Sequence, residues 1–146
     1  MKKTTFIIAT LLIFCSFNAD TKVVIPSGEK LVYAGSYNMS GLMTQLAQVT
    51  MSTETVQPAK KTYLHINCEL ETFAKWDKFF KIRDTYKAYV DPITLKPSLY
   101  KRSIEEGGYT KKEKYVFKGN TVTSTTKKRN KPETTRTFNI GASTLD

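Results

Sequence analysis

The chain has 146 residues, with 23 Lys and Arg against 13 Asp and Glu, and carries a formal net charge of +10 at pH 7. We expect a single domain at this length, and the basic balance favours anionic over cationic partners. Two cysteines and one histidine are too few for a disulfide framework or for the clustered ligands of a zinc site.

The N-terminus has the composition of an export signal. Two lysines precede an apolar run over residues 6–17, and the small residue Ala19 follows it. The pattern predicts a signal peptide at 1–19 and a mature β-rich domain at 20–146, exported to the periplasm. The run is shorter than the roughly 20 apolar residues that span a bilayer. The alternative is a lipid anchor on Cys15, although a bulky residue precedes this cysteine.

Alternating polarity and turn residues predict a meander of strands through the rest of the chain. Glycines mark the expected turns at positions 41, 107–108 and 119. We expect about seven strands, at residues 31–39, 47–51, 63–71, 86–90, 97–104, 109–117 and 121–127.

The third predicted strand has the clearest alternation. Leu64, Ile66, Cys68 and Leu70 fall on one side, which we expect to face the core. Cys68, the one cysteine of the mature chain, is therefore predicted to be a buried small hydrophobe, with no disulfide. His65 falls on the other side, and we expect it to be an exposed residue without a catalytic role.

A different period appears at residues 73–82. Aromatic and aliphatic residues at spacings of three and four oppose a face of lysines; they are Phe73, Trp76, Phe79, Phe80 and Ile82. This pattern predicts a short amphipathic helix that plugs one end or face of the sheet. The alternative is a helix that lies on a membrane surface or forms a lid.

Three segments resemble a known exported family. Residues 83–97 read RDTYKAYVDPITLKP, residues 28–33 read GEKLVY, and residues 105–109 read EEGGY. On these motifs, from about Gly28 to the end, the chain resembles domain-of-unknown-function family 3108 of Gram-negative bacteria. The resemblance implies an antiparallel, partly curved sheet of the type that periplasmic lipoprotein carriers use, and it supplies no activity and no catalytic residues.

Members of that family typically continue into further strands beyond the motif near Asn139 and Leu145. We therefore expect either a chain truncated at its C-terminal end or a sheet that a partner or a second copy completes.

Together these patterns predict an all-β fold, an antiparallel curved sheet or partly open barrel with one short helix near 73–82. No catalytic constellation is visible, so we do not expect an enzyme. The preferred function is a periplasmic binding or carrier module for an apolar or amphipathic ligand. The alternative is a structural or assembly component of the cell envelope with no small-molecule ligand.

Two sets of residues are candidates for binding. Aromatic residues could hold a lipid or other apolar ligand, and a dense basic run could contact anions or simply discourage edge pairing. We expect no cofactor, metal or nucleic acid, and the expected partners are an apolar ligand, an envelope protein or a second copy. The aromatic candidates are Tyr33, Tyr37, Trp76, Phe80, Tyr86 and Tyr89; the basic candidates are Lys127, Lys128, Arg129 and Lys131.

Overall fold

The computed structural model describes residues 25–141, so the predicted signal peptide and Cys15 lie outside the described residues. The described part is one antiparallel sheet in which each strand pairs with its neighbours in sequence. The predicted all-β meander is confirmed. The strands are β1 (Lys30–Met39), β2 (Leu42–Val56), β3 (Tyr63–Thr72), β4 (Arg83–Val90), β5 (Pro97–Glu106), β6 (Tyr109–Lys118), β7 (Thr121–Lys128) and β8 (Thr134–Asn139).

Two-residue turns connect β1 to β2, β5 to β6 and β6 to β7, at the positions that the glycines predicted. In the β1–β2 turn, Gly41 has φ of 87°, a left-handed conformation that glycine adopts without strain. Its amide donates a 2.8 Å hydrogen bond to the Asn38 side chain. This local bonding explains why a hairpin forms here without a larger loop.

The sheet is not closed, because β1 and β8 do not pair with each other. Register shifts at Gly35/Ser36 and at Tyr89/Val90 mark two β-bulges, which bend a strand and increase its twist. β8 was not predicted. All six of its side chains are exposed, so its sequence lacks the apolar alternation that reveals a strand.

Strand register divides the side chains between two faces. The apolar face carries the side chains of β3 that were predicted to point inward, and the polar face carries the side chains that alternate with them along the strand. Cross-strand pairing places the following side chains on the apolar face of β1 to β5: Leu31, Tyr33, Val49, Met51, Leu64, Ile66, Cys68, Leu70, Tyr86, Ala88, Val90, Tyr100 and Ile104.

The hydrophobic core is thin. Among the described residues, the buried hydrophobic side chains are Leu64, Val90, Ile104 and Val122. Domains normally bury an apolar face against a second layer of secondary structure. Within residues 25–141 no such layer covers the sheet, and Tyr33 remains 51% exposed. Much of the apolar face is therefore open.

The helix predicted at 73–82 is wrong, because this segment is a series of turns. The amide of Trp76 bonds to the carbonyl of Phe73 at 2.8 Å, and that of Phe79 bonds to Trp76 at 2.9 Å. Both are bonds over three residues. A helix of ten residues is marginal on its own, since nucleation is costly. Tertiary bonds from the segment's ends decide its shape instead.

Arg83 holds the end of this turn segment. Its guanidinium forms an ion pair with Asp77 at 2.5 Å and donates to the carbonyl of Ile82 at 2.6 Å and to that of Thr72 at 3.2 Å. The hydrogen bonds from Arg83 and Thr72 lower the pKa of Asp77. The indole of Trp76 donates to the carbonyl of Gln45 at 2.8 Å, which fixes the segment to β2.

Candidate functional site

The apolar face has a cavity of about 480 Å³ across β3, β4 and β5. Small side chains create it, because Cys68 pairs with Tyr86, and Ala88 lies between Ile66 and Tyr100. Leu95 and Ile25, from outside the strands, also line it. The strand residues that line it are Ile66, Cys68, Tyr86, Ala88, Val90 and Tyr100.

The segment before β1 forms one border of this cavity. Thr53 of β2 exchanges backbone bonds with Gly28 and Glu29 at 2.7 and 3.0 Å, and its hydroxyl donates to the carbonyl of Pro26 at 2.6 Å. These bonds place Ile25 beside the sheet. A second recess of about 170 Å³ is also lined by Ile25 and Ile66, so the two recesses adjoin. We call them together the apolar groove.

The groove contains two groups with perturbed acidity. Burial, followed by the neighbouring Glu69 carboxylate, raises the pKa of the Cys68 thiol. Burial and the carboxylate of Asp84 raise the pKa of Tyr86, whose hydroxyl lies 3.3 Å from an Asp84 oxygen. Both groups are therefore neutral at pH 7, which suits an apolar surface.

An ion-pair cluster lies on the same face, next to the groove. Glu113 of β6 contacts Arg102 at 2.5 Å and Lys111 at 2.7 Å, and its side chain is only 7% exposed. Burial raises the pKa of Glu113, but the hydrogen bond from Lys111 and the charge of Arg102 outweigh this effect, so the net pKa is lowered. Arg102 pairs across the strands with Tyr86. The apolar groove thus ends against charged groups.

The aromatic candidates do not form one site. Tyr86 lines the cavity, and Tyr33 lies on the same face at the outer strand. Tyr37, beyond the β1 bulge, is 62% exposed. Trp76 lies in the turn segment, and Phe80 packs so closely on the β5–β6 turn that a Cβ at Gly107 would lie 2.5 Å from its ring.

Tyr89 lies on the polar face, where its ring stacks on His65 at 4.4 Å between centroids. His65 also bonds to a Glu54 carboxylate oxygen at 2.8 Å and is only 8% exposed. The expectation of an exposed histidine is wrong, because the cross-strand tyrosine covers the ring. The Nε2 atom of the same ring is buried and has no hydrogen-bond partner among the described residues.

Of the residues that line the cavity, sequence reasoning selected Tyr86 alone and did not select these seven: Ile25, Ile66, Cys68, Ala88, Val90, Leu95 and Tyr100. Four of the seven were recognisable by alternation, since Ile66 and Cys68 share the predicted inward side of β3, and Ala88 and Val90 share a side with Tyr86. The selection favoured large aromatic side chains. A recess depends equally on the small residues between them.

The basic run also divides between surfaces. Lys127 lies on the polar face and donates to the carbonyl of Lys131 at 2.9 Å, whereas Lys128 pairs with Lys111 on the apolar face. Arg129 donates a hydrogen bond to the carbonyl of Gly108. The four candidates therefore do not form a single patch.

Within residues 25–141, no group of three histidine, cysteine or acidic side chains is placed to hold a metal ion. No helix in the same range has the length and apolar character needed to cross a membrane.

Comparison with curated proteins and with solved structures gives no match. A family model described as "Protein of unknown function (DUF3108)" matches residues 32–146. The match covers most of the chain, including strands β2 to β8 and the six strand residues of the cavity. It agrees with the resemblance carried by the RDTY, GEKLVY and EEGGY segments. The chain therefore belongs to the DUF3108 family of proteins of unknown function.

Proposed function

We propose that this protein is an exported binding or carrier module that holds an apolar or amphipathic ligand, such as an acyl chain, in the apolar groove. The observation that carries the proposal is the open cavity of about 480 Å³ between β3 and β5. Its volume falls in the range of about 300–1,000 Å³ that is usual for small-molecule sites.

The energetics of the apolar face support a ligand. Leu31 and Met51, on the rim of the groove, are 39% and 38% exposed. Removing apolar surface from water contributes about 25 cal/mol per Å². An acyl chain lying along the groove would gain this contribution. The neighbouring Arg102 and Lys111 would suit a polar or anionic head group.

Export is part of the proposal and depends on the signal peptide predicted at residues 1–19. A binding role needs no catalytic group, and we assign none. Neither a cofactor nor a nucleic acid is part of the proposed function.

The test is a titration of the full chain with a fluorescent fatty acid, cis-parinaric acid. Ala88→Phe fills the cavity, and Ala34→Phe makes the same change on the polar face of β1, where the side chain is exposed. We expect saturable binding by the wild type and by Ala34→Phe, and at least a tenfold weaker affinity for Ala88→Phe, about 1.4 kcal/mol. High salt should leave the affinity nearly unchanged.

A lack of saturable binding by the folded wild type would overturn the proposal. Equal affinity in Ala88→Phe and Ala34→Phe would show that the fatty acid does not bind in the apolar groove. Circular dichroism of each variant checks that the strands remain.

One observation favours the alternative, a structural or assembly component of the cell envelope. Within residues 25–141, β1 and β8 are the edge strands of the sheet, and β1 exposes Val32 and Tyr37 at 55% and 62%. An envelope protein or a second copy could pair with such an edge. Native mass spectrometry of the purified full chain separates the two: a monomer with co-purified lipid supports the carrier, and a dimer or protein complex without lipid supports assembly.

A further inference from the structure

The polar face carries a cluster of lysines that the proposed function does not use. Lys101 of β5 lies directly between Lys87 of β4 and Lys114 of β6. Lys112 of β6 pairs directly with Lys127 of β7. We call these five residues the lysine ladder. Its two rows are two residues apart on β6, which corresponds to about 7 Å along a strand.

This arrangement is unfavourable for the isolated sheet. Like charges directly opposite each other on neighbouring strands destabilise their pairing. The acidic side chains that pair with lysine or arginine in residues 25–141 contact Lys81, Arg83, Arg102 and Lys111 instead. No member of the ladder forms an ion pair within that range. Within the described residues, therefore, no ion pair neutralises the charge of the ladder.

Edge protection does not explain the ladder. Lysines on outer strands discourage pairing between sheets, but here the edges are β1 and β8, and the ladder occupies β4 to β7. A purely solubilising surface usually intersperses both signs of charge. Glu105, on the same face of β5, is held by Lys81 at 2.8 Å. Sequence rules that are broken without local compensation often mark a functional site.

The ladder also surrounds a recess. A cavity of about 540 Å³ is lined by all five lysines, by the hydroxyl residues Thr85, Ser103 and Thr125, and by Arg102, Glu113 and Glu133. Ser103 lies between Thr85 and Lys112, and Thr125 pairs with Lys114, so each hydroxyl neighbours a ladder position. Ammonium and hydroxyl groups are the donors that bind phosphate oxygens. The recess thus offers donors and positive charge in one place.

We propose that the lysine ladder is a binding site for a compact anion that carries two or more phosphate groups. Each row of lysines can hold one phosphate, and the hydroxyls donate to the remaining oxygens. A recess with two rows of lysines suits a small polyphosphate better than a broad membrane surface. The site lies on the opposite face from the apolar groove, so it goes beyond the proposed function.

The test is calorimetry of the full chain with inorganic pyrophosphate as the probe. The ladder variant combines Lys87→Gln, Lys101→Gln and Lys114→Gln. The control variant combines Lys30→Gln, Lys78→Gln and Lys118→Gln, three exposed residues away from the recess, and changes the net charge equally. Because the ladder variant removes repulsion, it should fold at least as stably as the wild type.

We expect one pyrophosphate per chain, at least about tenfold weaker affinity in the ladder variant and less than about twofold change in the control. Pyrophosphate should also raise the melting temperature of the wild type, because a ligand of the folded state stabilises it.

Three outcomes would overturn the proposal. They are no saturable pyrophosphate binding, an equal loss in both variants, and binding to anionic phosphatidylglycerol vesicles or to a DNA oligonucleotide without pyrophosphate binding. None of these results depends on the fatty-acid titration, so the two proposals fail separately.

Discussion

The two faces of the sheet differ in chemistry although the same strands build both. On β3, Ile66 and Cys68 line the apolar groove. His65, which directly precedes Ile66 in the sequence, points to the other face, where it contacts the Glu54 carboxylate and the Tyr89 ring. On β5, Tyr100 lines the groove and Lys101 enters the lysine ladder. A shift of one residue therefore separates an apolar environment from a charged one.

We expect the apolar core and the lysine ladder to contribute to stability with opposite signs. The apolar face supplies the buried hydrophobic side chains, and the ladder opposes folding by repulsion. Substitutions on the two faces should therefore shift the free energy of unfolding in opposite directions.

The largest expected effect is at Leu64, which is 3% exposed on the apolar face. Leu64→Ala should lower the free energy of unfolding by about 2–5 kcal/mol, because it removes buried surface and leaves a cavity. Leu42→Ala is the matched control, since Leu42 is 69% exposed, and it should cost less than about 0.5 kcal/mol. Urea denaturation measures both, and equal costs would contradict a core on this face.

The next effect is at Glu113. Glu113→Gln should cost about 1.5–3 kcal/mol at pH 7, because it weakens charged hydrogen bonds to Arg102 and Lys111. Both partners remain in contact with water, so the cost stays below that of a fully buried pair.

The pH dependence gives a second readout. The folded pKa of Glu113 lies below its ordinary value of 4.5, so its stabilising contribution is present above pH 4.5 and is lost as pH falls through the folded pKa. Glu113→Gln should flatten this part of the acid denaturation curve. Glu29→Gln, at an exposed position, should leave the curve as in the wild type. If Glu113→Gln left the acid denaturation curve unchanged, the assignment of this pH dependence to Glu113 would be wrong.

The smallest effect has the opposite sign. Lys101→Gln should raise the free energy of unfolding by about 0.2–1 kcal/mol, because it relieves repulsion from Lys87 and Lys114. Lys118→Gln is the control, since Lys118 pairs with Thr121 and should change nothing. The gain should shrink as salt rises, since exposed charges are screened over about 8 Å at physiological ionic strength. If Lys101→Gln instead lowered the free energy of unfolding, the claim that the lysine ladder is mutually repulsive would be contradicted.

Local sequence signals predicted much of this architecture. Alternation over Leu64 to Leu70 identified the inward side of β3, and the glycines at 41 and 107–108 identified two turns. The helix at 73–82 was wrong because its apolar spacing was real but its hydrogen bonding is set by Arg83 and Asp77. That contact joins two elements, and a local pattern does not reveal it.

The candidate sites were less predictable for the same reason. The groove needs Cys68 beside Tyr86, and the ladder needs Lys87, Lys101 and Lys114 in register. The sequence places these three lysines 14 and 13 positions apart. The run from Lys127 to Lys131 was selected as a candidate because its basic residues are close together in sequence. Of these residues, only Lys127 lines the recess of the lysine ladder.

The most direct test of the central claim is the alkylation rate of Cys68, which lines the cavity. A bulky maleimide is added to the full chain with and without saturating fatty acid, and modification of the Cys68 peptide is followed by mass spectrometry. The control is Ser103→Cys in a Cys68→Ser background, because Ser103 lines the recess on the polar face.

Cys68 is only partly buried in the structure, not fully buried as its alternation predicted. It should still react more slowly in the folded protein than in denaturant, because this burial raises the pKa of its thiol. Fatty acid should slow its alkylation further and leave the Ser103→Cys rate unchanged. An unaltered Cys68 rate at saturating fatty acid would contradict a ligand in the apolar groove.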